Sequence, residues 1–194
     1  MLSGETSVMH PFNAAGGTIK FSSDVSASEL ANLDPKAIVI DCRGLGARDE
    51  QSELRGVKGE MIIVETPEVE LSRPVRLIHP RWPLYVIPRG DGRFMLGATS
   101  IEAEDSAVSV RSALELLGAA YAVHPAFAEA RILEFGAGLR PAYPDNLPRI
   151  SIGPERIAVN GLYRHGFLLA PALAELTLFY VERGAIDNEV VRCR

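Results

Sequence analysis

Two segments in the C-terminal third of the chain each place a single arginine among glycines and apolar residues. They are residues 136–141, which carry Arg140, and residues 161–172, which carry Arg164. Arginine stays charged and presents a planar fork that grips a carboxylate with two hydrogen bonds, and neighbouring glycines let the backbone approach a ligand closely. The second segment leads into a predicted helix, whose N-terminal end is partially positive. The pattern predicts an anion-binding site in an apolar cleft; the residues alone also allow two surface arginines in ordinary turns.

Composition and charge limit the class of protein. The chain has 194 residues, 47% hydrophobic and 23% charged, as in a globular protein with one sizeable core or two small ones. A formal net charge of −5 disfavours nucleic acid and anionic membrane surfaces as partners. No apolar run is long enough for a membrane span, and the histidines show no metal-ligand spacing. Cys42 and Cys193 are far apart without a CxxC motif, which predicts reduced thiols in a cytoplasmic protein.

An apolar run at residues 37–42 is followed by Gly44 and Gly46, which predicts a buried strand and a tight turn. In α/β sheets, ligands gather outside the carboxyl ends of the strands, so this turn is a candidate wall of a cofactor site. An ordinary strand and turn explain the same residues equally well.

The middle of the chain predicts a hairpin and a surface helix. The apolar runs 84–88 and 93–98 are joined by Arg-Gly-Asp-Gly, and Asp-Gly between two such runs is a strong hairpin signal. Ser109 is a plausible N-cap for a helix that Pro125 ends. A strand at residues 132–138 then leads towards Arg140.

The last predicted helix has Pro171 in its first turn, where the missing N–H costs nothing, and it runs to about Arg183. Gly184 fits the residue that follows a helix end. Apolar residues occupy nearly every side of this helix, which predicts burial between layers or against a partner domain.

The two arginine segments resemble the C-terminal part of the FAD-dependent D-amino-acid oxidase family, in particular its glycine oxidases of thiamine biosynthesis. The resemblance continues upstream through residues 37–48, 57–61, 85–89 and 96–99, in the family's order and spacing. It implies an α/β (α+β) fold, in which an antiparallel-rich mixed sheet forms the substrate domain beside a partial Rossmann-like FAD-binding domain. The implied boundaries are 1–56 and 139–194 for the FAD-binding part and 57–138 for the substrate-binding domain.

The resemblance also implies roles for individual residues. Arg140 matches the arginine that binds the substrate carboxylate, Arg164 matches a second arginine facing the substrate, and Tyr85 matches a tyrosine lining the same pocket. No acid–base residue is required. The residues implied to lie against the flavin are Gly44, Gly46, Leu162, Tyr163, Arg164, His165, Gly166, Phe167 and Leu168.

The family's dinucleotide-binding start, a strand followed by Gly-x-Gly-x-x-Gly and a helix, does not occur in this sequence. The chain therefore resembles the C-terminal part of a longer oxidase. We expect weak or no FAD binding by this chain alone. We also expect a tendency to self-associate, or to bind a missing N-terminal FAD-binding part, because apolar faces would be left uncovered.

The activity implied is FAD-dependent oxidation of glycine, a small D-amino acid or an amine to the oxo acid, with ammonia and hydrogen peroxide as products, within thiamine biosynthesis. The alternative is a truncated, non-catalytic fragment or interaction module of such an oxidase. A further alternative is another amine or hydroxy-acid oxidoreductase, similar to sarcosine oxidase.

Overall fold

A computed structural model describes residues 15–23, 25–26, 28–29, 36–81, 83–154, 156–185 and 190–193. The chain divides into two units, Met1–Ala37 and Ile38–Arg194. In the first unit, the backbone N–H of Ser26 donates to Glu29 Oε2 at 2.8 Å, and the N–H of Glu29 donates to Ser26 Oγ at 3.3 Å. This reciprocal pair is a capping box, the pattern that starts a helix, and Ser28 and Glu29 are helical.

The second unit contains nine strands and two α-helices within the described residues. In chain order these are β1 (Val39–Asp41), a 3-10 helix (Gly44–Ala47), β2 (Arg55–Glu65), β3 (Val75–Leu77), β4 (Leu84–Pro88), β5 (Arg93–Gly97), α1 (Val110–Val123), a second 3-10 helix (Pro125–Glu129), β6 (Arg131–Ala142), β7 (Arg149–Ile152), β8 (Arg156–Asn160), α2 (Gly166–Arg183) and β9 (Val191–Cys193).

Five of the strands form one large sheet in the order β3-β4-β5-β2-β6, and every neighbouring pair is antiparallel. The predicted hairpin joins β4 to β5, and the N–H of Arg89 donates to the carbonyl of Arg93 at 2.8 Å. Gly90, Asp91 and Gly92 all have positive φ, which explains the glycines on both sides of the aspartate. The hairpin prediction is confirmed.

Helix α1 covers one face of the large sheet. Its N-cap is Ser109, whose hydroxyl accepts from the N–H of Ser112 at 3.2 Å, and the helix ends before Pro125, as the sequence predicts. The core between helix and sheet consists mainly of alternate strand residues and one face of α1, because successive strand side chains point to opposite faces. Val69 from the loop after β2 and Phe127 from the second 3-10 helix complete it. The buried members are Ile62, Val64, Val69, Leu84, Val86, Phe94, Leu96, Leu116, Ala119, Ala120 and Phe127.

Strand β6 is longer than the sequence predicts, and it includes Arg140 and Pro141. Proline lacks the N–H that a central strand needs. It is tolerated here because β6 is the edge strand of the large sheet, hydrogen-bonded only to β2 within that sheet. The strand also crosses the implied domain boundary after residue 138.

The remaining strands form a small mixed sheet in the order β1-β8-β7-β9, with β1/β8 and β7/β9 parallel and β7/β8 antiparallel. The fold is thus mixed α/β and antiparallel-rich, which confirms the predicted fold class. The strand predicted within residues 37–42 is present as β1, and its apolar residues are left uncovered, as the sequence predicts for a chain without the family's dinucleotide-binding start. β1 is an edge strand, and Ile38 and Ile40 remain 61% and 45% exposed.

Helix α2 packs on the small sheet along one stripe only. Leu173 is buried against Ile150, Ile152 and Ile157, whereas Leu168, Leu178 and Phe179 are exposed. The helix begins at Gly166, earlier than predicted, so Pro171 is an interior residue and not part of the first turn. The predicted end is confirmed, because Gly184 has φ 75° and its N–H donates to the carbonyl of Tyr180.

Candidate functional site

One face of the large sheet, opposite α1, carries Tyr85 and Arg140. Strand register aligns Tyr85 with Gly97, Gly97 with Met61, and Met61 with Gly136, so these residues share a face. Arg140 follows Gly136 by four positions on the same strand and therefore points to that face. Gly97 lies opposite Tyr85 and Met61, and Gly136 lies opposite Met61, so no side chain from these two positions projects from this face.

Arg140 is half-buried on this face. Its Nη1 donates to the carbonyl oxygen of Thr99 at 3.0 Å. The guanidinium lies directly over Gly59, where a side-chain methyl group would overlap it. In the described part of the chain, Arg140 forms no ion pair. Burial lowers its pKa, and the nearby positive charge of Arg164 lowers the pKa further. A desolvated cation without a counter-ion is the local chemistry of an anion-binding site.

The segment carrying Arg164 is attached beside Arg140 by its neighbour Tyr163. The N–H of Tyr163 donates to the carbonyl of Pro141 at 3.1 Å, and its hydroxyl is 2.8 Å from Ser100 Oγ. These anchor points directly follow Arg140 and Thr99 in sequence, so both partners of the Arg140–Thr99 hydrogen bond are tied to this segment. Tyr163 has a φ of 51°, a conformation that costs about 1–2 kcal/mol in a non-glycine residue.

The N-terminal end of α2 follows Arg164 immediately. The N-cap residue His165 makes no side-chain capping bond. Among the hydrogen bonds of the described residues, none uses the N–H groups of Gly166, Phe167 or Leu168; the first helical bond runs from Leu169 to His165 at 2.8 Å. Open N–H groups at a helix start favour a negatively charged or electron-rich ligand.

The turn after β1 lies against the same segment through Asn160. The Nδ2 of Asn160 donates to the carbonyl of Gly44 at 2.9 Å, and its Oδ1 accepts from the N–H of Gly161 at 2.9 Å. Gly161 has φ 77°, and the ring of Tyr143 occupies the space a side chain would need. Buried Asn160 therefore holds two distant glycine turns together, and the residues implied to face the flavin lie in or next to these turns.

The structure thus brings several of the implied site residues together, whereas the contacts of the others do not link them to Arg140. Arg140, Tyr163 and Arg164 are neighbours, and Gly44 is joined to their segment. Tyr85 shares the sheet face with Arg140, but the guanidinium of Arg76 lies 5.2 Å from the centre of its ring. The members whose contacts do not link them to Arg140 are Gly46, Leu162, His165, Gly166, Phe167 and Leu168.

Sequence reasoning missed four residues that shape the site: Gly59, Thr99, Ser100 and Asn160. Gly59 and Thr99 lie in segments that resemble the family, but nothing local indicates their contact with Arg140. The one local signal was Asn160-Gly161 after an apolar run, which is typical of a turn after a strand.

Comparison with known proteins identifies the family. The model of the family described as FAD dependent oxidoreductase matches residues 7–179. This chain belongs to that FAD-dependent oxidoreductase family. A family member from Rhizobium etli, named putative thiamine biosynthesis oxidoreductase ThiO, is 61% identical over 137 residues, covering 70% of this chain and 42% of the relative. The glycine oxidase of Geobacillus kaustophilus is 33% identical over 144 residues, covering 72% and 37%.

Solved structures of the family show the same fold. The crystal structure of glycine oxidase from Bacillus cereus superposes with a TM-score of 0.67 at 28% identity, over 79% of this chain and 44% of that one. The chain therefore spans less than half the length of these family relatives. No helix in the described residues combines the length and apolarity needed to cross a membrane.

Proposed function

We propose that this chain forms the substrate-side half of an FAD-dependent oxidase of the glycine oxidase type. The reaction is oxidation of glycine, a small D-amino acid or an amine to the oxo acid, with ammonia and hydrogen peroxide as products, in thiamine biosynthesis. The names of its relatives, a thiamine biosynthesis oxidoreductase and a glycine oxidase, support this reaction class. In this proposal the large sheet binds substrate, while the small sheet with α2 belongs to the FAD-binding part.

The observation that carries the proposal is the environment of Arg140. Arg140 is a half-buried guanidinium whose pKa is lowered by burial and by the charge of Arg164. A bound anion would stabilise its positive charge. A substrate carboxylate supplies that charge and accepts two parallel hydrogen bonds from the guanidinium fork. Since Thr99 already holds Nη1, the arginine is oriented before ligand arrives, and less entropy is lost on binding.

Two features of the chain fit FAD on the substrate side. The first turn of α2 presents open N–H groups and a fully exposed Phe167, and Asn160 brings the Gly44 turn to the same segment. These residues would hold the flavin end of the cofactor, and FAD, when bound, supplies the acceptor of two electrons. The dinucleotide end has no Gly-x-Gly-x-x-Gly in this sequence, so we propose that a separate or preceding FAD-binding half completes the site.

The chain's own contribution to the reaction is positioning. Arg140 binds the substrate carboxylate, and Arg164 faces the same substrate from the segment before α2. With the carboxylate held at one end, the substrate presents its α-carbon in one fixed orientation. Orientation of this kind accounts for a large share of catalysis in general, and it requires no acid–base side chain.

The test is to reconstitute activity. This chain is co-expressed with the part of the Rhizobium etli relative that the chain does not cover, and peroxide is measured with glycine and D-alanine. We expect FAD-dependent peroxide production, lowered at least about 100-fold in kcat/KM by Arg140→Ala, since loss of one charged contact to the reacting substrate costs about 2.7–4 kcal/mol. The matched control is Arg93→Ala, an exposed arginine at the start of β5 that pairs with Glu65. Equal activity in the Arg140→Ala variant and its parent would contradict the proposal.

A non-catalytic interaction module is the second candidate. The exposed apolar residues on α2 and β1 favour it, because large uncovered apolar patches mark interaction surfaces. The co-expression experiment also distinguishes this candidate from the oxidase. A complex that retains FAD but produces no peroxide with any amino acid or amine would support the interaction module. A panel including sarcosine distinguishes the glycine oxidase type from a sarcosine-oxidase-like enzyme.

A further inference from the structure

Strand β6 leaves one side of the large sheet open over residues 135–139. It is hydrogen-bonded to β2 on one side, and no strand among the described residues pairs with its other side. Antiparallel strands alternate between residue pairs whose N–H and C=O groups meet and pairs whose groups point apart. The alternation along β2 therefore shows which backbone groups of β6 point to the open side.

Alternate residues of β2 direct their backbone groups away from β6. Lys58 exchanges hydrogen bonds with Ile101 in both directions at 2.9 Å, and the N–H of Glu60 donates in the same direction, to the segment after β5, at 2.9 Å. These two residues lie opposite Leu139 and Ala137. The backbone groups of Leu139 and Ala137 therefore point away from β2, to the open side.

The open stretch has a defined end at Pro141. Its carbonyl also faces the open side, where it accepts the N–H of Tyr163 at 3.1 Å. The same alternation includes Phe135 at the other end, before the register shifts. In the described part of the chain, the N–H and carbonyl groups of Phe135, Ala137 and Leu139 have no hydrogen-bond partner. The stretch reads Phe-Gly-Ala-Gly-Leu, without the charges or prolines that protect exposed edges.

The side chains of this stretch are also incompletely covered. Phe135 and Leu139 are 49% and 37% exposed. They lie opposite Ile62 and Lys58, which are buried on the α1 side of the sheet, so they face that side as well. A strand added at this edge would pair the open backbone groups and cover both apolar side chains.

The part of the chain assigned to FAD binding already lies at the end of the open stretch. Tyr163 holds Pro141, and a methyl group placed on Gly44 would lie 3.7 Å from the ring of Pro141. A further half that packs on β1 and α2 would therefore lie beside residues 135–139. More than half the length of the relatives lies outside the part that matches this chain, which is enough for such a half and an added strand.

We propose that the FAD-binding half contributes a strand to the large sheet, paired with residues 135–139 of β6. The proposal rests on the proposed function, which requires that half. The added strand is extended over at least five residues and has apolar side chains at alternate positions, facing Phe135 and Leu139. Its other face borders Arg140, so the substrate site is built from both halves.

Hydrogen exchange followed by NMR tests the pairing. The full 15N-labelled chain is measured alone at two concentrations, and in complex with FAD and the part of the Rhizobium etli relative that this chain does not cover. We expect the amides of Phe135, Ala137 and Leu139 to exchange at least about tenfold more slowly in the complex, since tenfold corresponds to about 1.4 kcal/mol, the scale of one hydrogen bond. The amides of Gly136 and Gly138 face β2 and should be protected in both states.

A proline variant tests the same edge by affinity. Ala137→Pro removes the central N–H of the open stretch and keeps the hydrogen bonds to β2, which belong to other residues. We expect calorimetry to show at least about tenfold weaker binding of the FAD-binding half. The matched control is Arg76→Pro on β3, the opposite edge of the sheet. The N–H of Arg76 also points outward, because the bond from Arg89 to Arg93 fixes its partner Tyr85 towards β5. This control should bind normally.

The outcomes separate the strand from the proposed function. A complex that produces peroxide while the three amides exchange as fast as in the chain alone overturns the added strand and leaves the proposed function standing. Protection that grows with concentration in the chain alone assigns the edge to a second copy, which also overturns the proposal, as does a folded Ala137→Pro variant that binds normally. If no complex forms, the proposed function fails, and the added strand fails with it. Should Ala137→Pro not fold, the exchange measurement on the unsubstituted chain decides.

Discussion

At the scale of single residues, the arginine chemistry depends on a glycine on the neighbouring strand. Gly59 lies two residues from Val57, the partner of Arg140 across β2 and β6. The missing side chain leaves the space in which the guanidinium reaches Thr99. Gly59, which no local sequence signal marks as important, thus determines where the Arg140 guanidinium lies.

Gly59→Ala should displace the Arg140 guanidinium without unfolding the sheet, since alanine tolerates strand backbone. We expect at least about a tenfold loss of glycine affinity in an NMR titration, because the displaced guanidinium no longer donates a charge-assisted hydrogen bond to the carboxylate. The control is Gly118→Ala in α1, where the new methyl group meets nothing within 4 Å. That variant should bind glycine normally and gain up to about 1 kcal/mol of stability. Unchanged affinity in Gly59→Ala would mean that Arg140 does not bind the carboxylate.

Tyr163 is expected to act as a positioning residue for Arg164. Tyr163→Phe removes the hydrogen bond to Ser100 but keeps the ring and the bond from the backbone N–H to Pro141. We expect about 1 kcal/mol less stability and a weaker glycine interaction, with larger NMR line widths for the Arg164 guanidinium. Ser100→Thr, which keeps a hydroxyl, should preserve wild-type behaviour, whereas Ser100→Ala should match Tyr163→Phe. If Ser100→Ala and Tyr163→Phe had different effects, the hydrogen bond between Ser100 and Tyr163 would not explain them.

At the scale of elements, β2 serves both faces of the large sheet. Gly59 faces the arginine side, while its neighbours Lys58 and Glu60 are buried on the α1 side. Lys58 Nζ lies 3.0 Å from Glu60 Oε1 and 2.9 Å from Asp105 Oδ1. The Glu60 carboxylate also accepts the N–H of Ser109. The strand therefore attaches the segment before α1 to the sheet.

Glu60 should make stability depend on pH. Burial alone would raise its pKa, but hydrogen bonds from Ser112, Lys58 and Ser109 hold the pKa below its ordinary value of 4.5. A lowered folded-state pKa stabilises the fold above pH 4.5, and this contribution is lost as pH falls through the folded pKa. Urea unfolding should show Glu60→Gln less stable than wild type at pH 7, with the difference shrinking as the solution is acidified below the folded pKa. The exposed Glu70→Gln should show no such convergence; a constant offset for Glu60→Gln would contradict the assignment.

At the scale of the whole molecule, the apolar surfaces left uncovered are those the missing FAD-binding half would meet under the proposed function. They lie on the edge strand β1 and on the outer side of α2. A helix that is apolar on most sides but packed on only one has more surface to bury. The chain is therefore expected to associate with itself when it is alone.

Analytical ultracentrifugation should detect this association, and the double variant Leu178→Glu, Phe179→Glu should reduce it. Both side chains are exposed on α2, so the folded chain should tolerate the change. Each large apolar side chain that is buried on association contributes about 1.5–3 kcal/mol at most.

Addition of the FAD-binding half of a relative should also reduce self-association. The complex should retain FAD through desalting, whereas the chain alone should lose it. If the chain by itself were a stable monomer and retained FAD, two proposals would be contradicted: that β1 and α2 form an association surface, and that a second FAD-binding half is needed.

The sequence by itself determined the local features. The Asp-Gly hairpin, the Ser109 cap, the Gly184 helix end and the identity of the two arginines follow from short-range preferences and from side-chain chemistry. Helix α2 shows where a local signal fails, because Pro171 indicated a later start than Gly166.

Only the tertiary structure decided the arrangement around Arg140. Strand register places Gly59 under its guanidinium, and hydrogen bonds from Tyr163 and Asn160 bring together segments far apart in sequence. Such contacts depend on how strands pair and on which faces meet, and no local pattern encodes a pairing between distant residues. The tertiary structure therefore decides which charges become neighbours, and the sequence decides only what those charges are.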